Sequence, residues 1–174
     1  LLAAQGADLV GEARLIDAMV PRGGAILDAG CGPGRHAGHL HRAGHRVVGV
    51  DLDPVLIDTA RAEEPGPVYV VGDLAGLELP GEASGPFDAI LCAGNVLGFL
   101  HPATRRPALA GLASVLADDG RLVAGFGAGR GYAFEEFFAD AEASGLRRDA
   151  AFSTWDLRAF TPASDFLVAV LSRA

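Results

Sequence analysis

Three glycines and two aspartates stand at a spacing that suits a ribose-bearing ligand. Gly30, Gly32 and Gly34 follow a short apolar run that ends at Asp28, and the segment after them reads as a helix. Glycine is needed where the backbone must approach a ligand closely or take a positive φ angle. Asp51 closes the next apolar run, where its carboxylate can accept hydrogen bonds from both ribose hydroxyls. The sequence therefore predicts a ribose-bearing ligand beside this glycine-rich turn.

The order of predicted elements places these residues on an α/β, doubly wound, mostly parallel sheet. Strands are predicted at 25–27, 47–51, 68–71, 87–92 and 122–124, with helices between them and a turn at 118–120. Two more strand-like runs, at about 150–157 and 165–171, have no helix between them and should pair as an antiparallel hairpin. In such a sheet the ligand lies beyond the carboxyl ends of the strands, where the strand order reverses. We expect one domain, residues 1–174.

Composition restricts the classes of partner. The 14 basic and 22 acidic residues give a net charge of −8, which argues against a nucleic-acid partner, because phosphate binding needs a positive surface. No apolar run has the length of a membrane span. Cys31 and Cys92 show neither disulfide-framework nor metal-ligand spacing, so we expect no metal and a reducing, cytoplasmic location. The chain begins at Leu1 rather than Met, which suggests a preceding segment.

Two families of nucleotide-like ligand compete for the glycine-rich turn. A dinucleotide fingerprint, Gly-x-Gly-x-x-Gly, needs a third glycine where Arg35 stands. The run from Asp28 to Gly34 reads Asp-x-Gly-x-Gly-x-Gly instead, and this resembles motif I of the class I S-adenosylmethionine-dependent methyltransferases. The resemblance extends over nearly the whole chain, and it implies a Rossmann-like sheet of seven strands whose last strand is antiparallel.

The resemblance implies S-adenosylmethionine as the cofactor and assigns ten residues to its binding. The residues are Asp28, Gly30, Gly32, Gly34, Asp51, Leu52, Asp73, Leu74, Ala93 and Arg14. The glycines would form the loop under the methionine and ribose, and Asp28 would orient that loop or reach the methionine ammonium through water. Ala93 would offer a carbonyl to the ammonium, and Arg14 would pair with the carboxylate.

The adenosine end is assigned by the same resemblance. Asp51 would take the ribose hydroxyls and Leu52 would pack on the adenine face. Asp73 would accept from the adenine amino group, and the backbone N–H of Leu74 would meet a ring nitrogen.

The expected activity is methyl transfer to a small-molecule acceptor, in which the protein mainly aligns the reacting atoms and keeps water out. His101 is the candidate general base and Tyr132 the candidate acceptor-positioning group, whereas the four histidines between residues 36 and 45 are expected to be solvated or packed. Segments 95–100 and 126–132 should face the acceptor, which is expected to be largely apolar or aromatic. A regulatory module that binds the cofactor without catalysis is the alternative.

Overall fold

The structure, a computed structural model, describes residues 8–174, and these form a seven-stranded sheet with helices on both faces. The helices are α1 (Gly11–Met19), α2 (Arg35–Arg42), α3 (Pro54–Glu63), α4 (Arg105–Val115) and α5 (Phe134–Ala143). The strands are β1 (Ala25–Ala29), β2 (Arg46–Asp51), β3 (Val68–Val71), β4 (Phe87–Cys92), β5 (Leu116–Gly127), β6 (Leu146–Phe152) and β7 (Phe166–Arg173).

The sheet has the order β3-β2-β1-β4-β5-β7-β6, in which β7 runs antiparallel to both of its neighbours. The predicted doubly wound, mostly parallel sheet with an antiparallel last strand is confirmed. The strand order reverses between β1 and β4, which are parallel neighbours. The loops after these two strands therefore meet at one edge of the sheet, where this architecture binds its ligands.

Side chains alternate between the two faces of the sheet along each strand, so an apolar core forms on each face. Ile26 points to the face covered by α1, α2 and α3, and Leu27 points to the face covered by α4 and α5. Both side chains are fully buried. Strands buried on both faces read as continuous apolar runs, which is why the sequence shows these strands so clearly.

Local signals fix several element ends. Asp53 caps α3, because its Oδ1 accepts from the amide of Val55 at 2.8 Å, and Pro54 occupies the first helical position. The predicted turn at 118–120 is part of β5 instead. There the pairing with β4 jumps from Leu116 to Arg121, so the intervening residues form a bulge inside the strand.

The last two strands pair as predicted, but with shifted bounds, since β6 begins at Leu146 rather than near 150. Within residues 8–174, no helix combines the length and apolarity that crossing a bilayer requires.

Candidate cofactor-binding site

The glycine-rich loop between β1 and α2 has a backbone that only glycine adopts readily. Gly30, Gly32 and Gly34 have φ angles of +79°, +53° and +85°. The amides of Gly30 and Cys31 both donate to the carbonyl oxygen of Val50, at 2.8 and 3.0 Å, which ties the loop to the end of β2. A Cβ on Gly30 would lie 2.4 Å from Cγ2 of Val96, so the loop is also closed by close packing.

Asp51 anchors the same loop from the end of β2. Its Oδ2 accepts from the amide of Gly32 at 2.8 Å, and its Oδ1 accepts from the amide of Asp53 at 2.9 Å. A carboxylate offers about four acceptor positions, so further donors can still bind it. The predicted ribose contact is thus compatible with a second task, which is holding the loop in shape.

A cleft of about 310 Å³ opens beside this loop. It is lined by Asp28, Gly30, Cys31, Gly32, Pro33, Arg35, His36, Asp51, Ala93, Gly94 and Val96. Asp28 is only 2% exposed, and its Oδ2 has no hydrogen-bond partner in the described part of the chain. Burial raises the pKa of Asp28 to about 6, although the nearby His36 opposes this shift. A buried oxygen without a donor is suited to an ammonium group.

A second cavity of about 260 Å³ adjoins the first, because Gly30, Asp51 and Val96 line both. Its other lining residues are mostly apolar: Val50, Leu52, Gly72, Asp73, Leu74, Phe99 and Leu100. Oδ1 of Asp73 accepts from the amide of Ala75 at 2.9 Å. Apolar walls with one carboxylate suit a flat base that carries an amino group. The two cavities together fit a molecule with an aromatic base at one end and an amino acid at the other.

Eight of the ten predicted cofactor-binding residues line these two cavities. Gly34 lines neither, because it packs against α3 and β3, where a Cβ would lie 2.5 Å from the Tyr69 hydroxyl. Arg14 is placed elsewhere. Its guanidinium pairs with both carboxylate oxygens of Asp8, and it lines a separate cavity of about 560 Å³ next to Trp155. The structure therefore does not bring Arg14 to the amino-acid end of the cleft.

The two candidate catalytic residues lie outside the cleft lining as well. His101 caps a short helical turn, since its Nδ1 accepts from the amide of Ala103 at 3.2 Å. Tyr132 is 2% exposed, and its hydroxyl donates to Oδ2 of Asp140 at 2.8 Å. The Arg105 guanidinium lies 3.9 Å from the centre of the Tyr132 ring. These contacts give Tyr132 a role in packing, and it lines a separate cavity of about 530 Å³.

The segments predicted to face an acceptor divide into buried and exposed parts. Phe126 is fully buried and stacks on Tyr132 with ring centres 5.6 Å apart, so these two rings belong to the core. Phe99 is 72% exposed, and the Arg130 guanidinium lies 5.5 Å from the centre of its ring. Oδ1 of Asn95 accepts from the amide of Gly127 at 2.8 Å and joins the two segments.

Several cleft residues were not predicted to bind the cofactor, and two of them bear on the site. Val96 lines both cavities from the short turn after β4. His36 was expected to be solvated or packed, but it lines the first cavity, and its Nε2 lies 3.4 Å from Oε2 of Glu12 on α1. The sequence feature that could have identified His36 is its position, because it lies in the first turn of the helix after the glycine-rich loop.

Comparison with known proteins agrees with this geometry. Residues 26–120, more than half of the chain, match the family model described as a methyltransferase domain. The crystal structure of a TehB-like SAM-dependent methyltransferase from Corynebacterium glutamicum is 53% identical, with a TM-score of 0.94 over 99% of this chain and 92% of that chain. The CcbJ methyltransferase from Streptomyces caelestis shares the fold at 19% identity, with a TM-score of 0.82 over 94% of each chain.

Curated relatives match over shorter stretches. A malonyl-[acyl-carrier protein] O-methyltransferase from Yersinia pestis is 36% identical over 61 residues, which are 35% of this chain and 23% of that protein. A ubiquinone biosynthesis O-methyltransferase from Xanthomonas axonopodis pv. citri is 39% identical over 75 residues, 41% of this chain and 31% of that protein. The chain thus matches less than a third of the length of either relative.

The residues present fit S-adenosylmethionine on two structural grounds: the Asp28 oxygen that has no partner among residues 8–174, and the loop around Gly30 that leaves no room for a side chain. The predicted resemblance and cofactor are confirmed by the family match. This chain belongs to the methyltransferase-domain family of class I S-adenosylmethionine-dependent methyltransferases.

Proposed function

We propose that this chain transfers the methyl group of S-adenosylmethionine to a small-molecule acceptor. The observation that carries the proposal is the pair of adjoining cavities that share Gly30, Asp51 and Val96. One cavity offers carboxylates, which suit the amino-acid and ribose parts of the cofactor. The other offers apolar walls, which suit adenine. The whole chain is proposed to form one domain around this cleft.

The chain's own residues would mainly bind and align. When bound, S-adenosylmethionine would supply a methyl group attached to a positively charged sulfur. The bond between methyl and sulfur would break by in-line displacement as the new bond to the acceptor forms. Asp28 would hold the ammonium, Asp51 the ribose hydroxyls and Asp73 the adenine amino group, so that the sulfur is fixed relative to the acceptor. Alignment of this kind supplies a large part of the rate enhancement in two-substrate reactions.

Acidity and the exposed apolar groups near the cleft support a small acceptor. The chain carries a net charge of −8, which disfavours a polyanionic acceptor. Phe99 and Arg130 are exposed on the segments after β4 and β5, beside the cavity that Phe99 lines. An aromatic ring and a guanidinium suit a small molecule with an apolar body and a polar end. One relative is named as an 18S rRNA (guanine-N(7))-methyltransferase from Bos taurus, so RNA is the alternative to test.

His101 and Tyr132 stay predictions for the catalytic step. His101 keeps one ring nitrogen free of the Ala103 contact, which is compatible with a general base. Tyr132 has its hydroxyl engaged by Asp140, so of the two residues His101 is the better candidate. Both cysteines are free and buried, which fits the proposed cytoplasmic location.

A radiolabel screen tests the acceptor class. Purified protein is incubated with S-adenosylmethionine labelled in the methyl group and with separate panels of small phenols, carboxylic acids, nucleosides and RNA fragments. We expect label in at least one apolar phenol or carboxylic acid, and we expect its loss in the Asp51→Ala variant, which serves as the control for transfer from the cleft. Labelling of RNA, with no turnover of any small molecule, would refute the proposed acceptor class.

A further inference from the structure

His36 and Glu12 form a pair at the polar end of the cleft. Their side chains are only 12% and 22% exposed, although both are polar, and Nε2 of His36 lies 3.4 Å from Oε2 of Glu12. That nitrogen is buried and has no aligned hydrogen-bond partner within residues 8–174. The same cleft contains the partnerless Oδ2 of the nearly fully buried Asp28. A buried carboxylate oxygen without a donor, beside a cavity, indicates that a ligand supplies the donor.

The amino-acid end of the cofactor carries both an ammonium and an α-carboxylate. Asp28 supplies the negative charge that the ammonium needs, but the α-carboxylate needs a hydrogen-bond donor in a cleft that already holds Asp28 and Asp51. The lining offers two side chains that can donate, Arg35 and His36. Both lie in the first turn of α2, where the unbonded amides and the positive end of the helix dipole favour an anion.

His36 is the better placed of the two. Arg35 is exposed, so solvent screens its charge and its side chain must be ordered on binding. The His36 ring is held between α2 and α1 by its contact with Glu12. An imidazole has two ring nitrogens that can form hydrogen bonds, and at least one of them is a donor. One ring nitrogen faces Glu12, which leaves the other available to a ligand.

Glu12 supplies the charge that steadies this ring. Burial is the largest single influence and opposes ionisation, but His36, a backbone amide and Arg35 together hold the pKa of Glu12 below its ordinary value. Glu12 is therefore a carboxylate at neutral pH, and its Oε2 faces Nε2 of His36 at 3.4 Å. Because Glu12 belongs to α1, this contact also joins α1 to the polar end of the cleft.

We propose that His36, positioned by Glu12, binds the α-carboxylate of the cofactor and so distinguishes it from related nucleosides that lack this group. The inference rests on the proposed binding of S-adenosylmethionine in this cleft. Glu12 acts through His36 and is a positioning residue. The pair thereby determines specificity for the amino-acid end, independently of how adenosine is held.

Two ligands separate this role from a structural one. S-adenosylhomocysteine has the amino-acid end, whereas 5′-methylthioadenosine has the same adenosine and thioether without it. Calorimetric titration of both ligands into wild type, His36→Gln, Glu12→Gln and Arg35→Gln measures the contribution of each side chain. Asp51→Asn is the control for the shared ribose, and we expect it to weaken both ligands.

We expect His36→Gln to lower the affinity for S-adenosylhomocysteine by about ten- to a hundredfold, because a hydrogen bond to a charged group is lost. The affinity for 5′-methylthioadenosine should stay unchanged, which also shows that the variant is folded. Glu12→Gln should weaken S-adenosylhomocysteine selectively but less, and Arg35→Gln should have the smallest effect.

Three outcomes overturn the inference while leaving the proposed function intact. They are unchanged binding of S-adenosylhomocysteine by His36→Gln, equal losses for both ligands in that variant, and a larger selective loss in Arg35→Gln. Failure of the wild-type protein to bind either ligand would instead refute the proposed use of the cleft.

Discussion

Replacing Gly30 by alanine tests whether the shape of the glycine-rich loop rests on close packing as well as on backbone conformation. The new Cβ would lie 2.4 and 3.0 Å from the two methyl carbons of Val96. A left-handed residue with a side chain costs about 1–2 kcal/mol, and overpacking of a closed contact adds about 1–3 kcal/mol. Gly30→Ala should therefore lower the free energy of unfolding by about 2–5 kcal/mol, and it should weaken binding of S-adenosylhomocysteine.

Gly32→Ala is the matched control, because Gly32 also has a positive φ angle but its Cβ would meet nothing within 4 Å. Gly32→Ala should lower the free energy of unfolding only by the cost of the backbone conformation, about 1–2 kcal/mol. Adding Val96→Ala to Gly30→Ala removes both clashing methyl groups and should recover stability toward that of Gly32→Ala. Urea denaturation and calorimetry measure these quantities. The reasoning is refuted if Gly30→Ala and Gly32→Ala are equally stable, or if the Val96 change recovers nothing.

Three further changes have definite expected results. Asp28 has a folded pKa of about 6 against an ordinary 3.8, so the folded state holds this proton more tightly and stability falls as the pH rises between these values. Asp28→Asn should therefore raise the free energy of unfolding by up to about 3 kcal/mol at neutral pH, with the gain vanishing below about pH 4; urea denaturation that shows an equal gain at both pH values would contradict this. Asp51→Ala should reduce the affinity for S-adenosylhomocysteine by about ten- to a hundredfold in calorimetry, because the predicted ribose acceptor is lost, and an unchanged affinity would mean that the ribose is held elsewhere. Gly125→Ala would bring a Cβ to 2.3 Å from the ring of Trp155, the one tryptophan of the chain, so its fluorescence should shift to longer wavelength, whereas an unchanged spectrum would contradict the packing described.

The sequence identifies those features that depend on neighbours along the chain. The cap at Asp53, with proline after it, depends only on neighbouring residues, of types that commonly begin a helix. The placement of Asp51 beside Gly32 follows from the parallel pairing of β1 and β2, which apolar runs separated by a helix predict. The positive φ angles of the glycine-rich loop can likewise be predicted from the sequence, because few residues other than glycine tolerate them.

Contacts between distant segments were harder to predict. Arg14 lies on α1, but whether its side chain reaches the cleft or Asp8 depends on the path of the chain as it enters this helix. Tyr132 follows β5 at the expected place, yet the partner of its hydroxyl, Asp140, lies two turns along α5. His36 looked like one of several polar helix residues, and only the packing of α1 against α2 brings Glu12 to its ring.

The position of β7 in the sheet has a consequence for folding. β6 precedes β7 in the chain, but it joins the sheet only through β7, which lies between β5 and β6. Until β7 inserts, β5 therefore presents an open edge whose stretch 122–126 is fully or nearly fully buried in the finished protein, and β6 has no neighbour. Open apolar edges recruit strands from other molecules. We therefore expect conditions or truncations that delay the insertion of β7 to cause aggregation of the chain, even though the residues that line the cleft lie at or after the ends of β1 to β4, in the other half of the sheet.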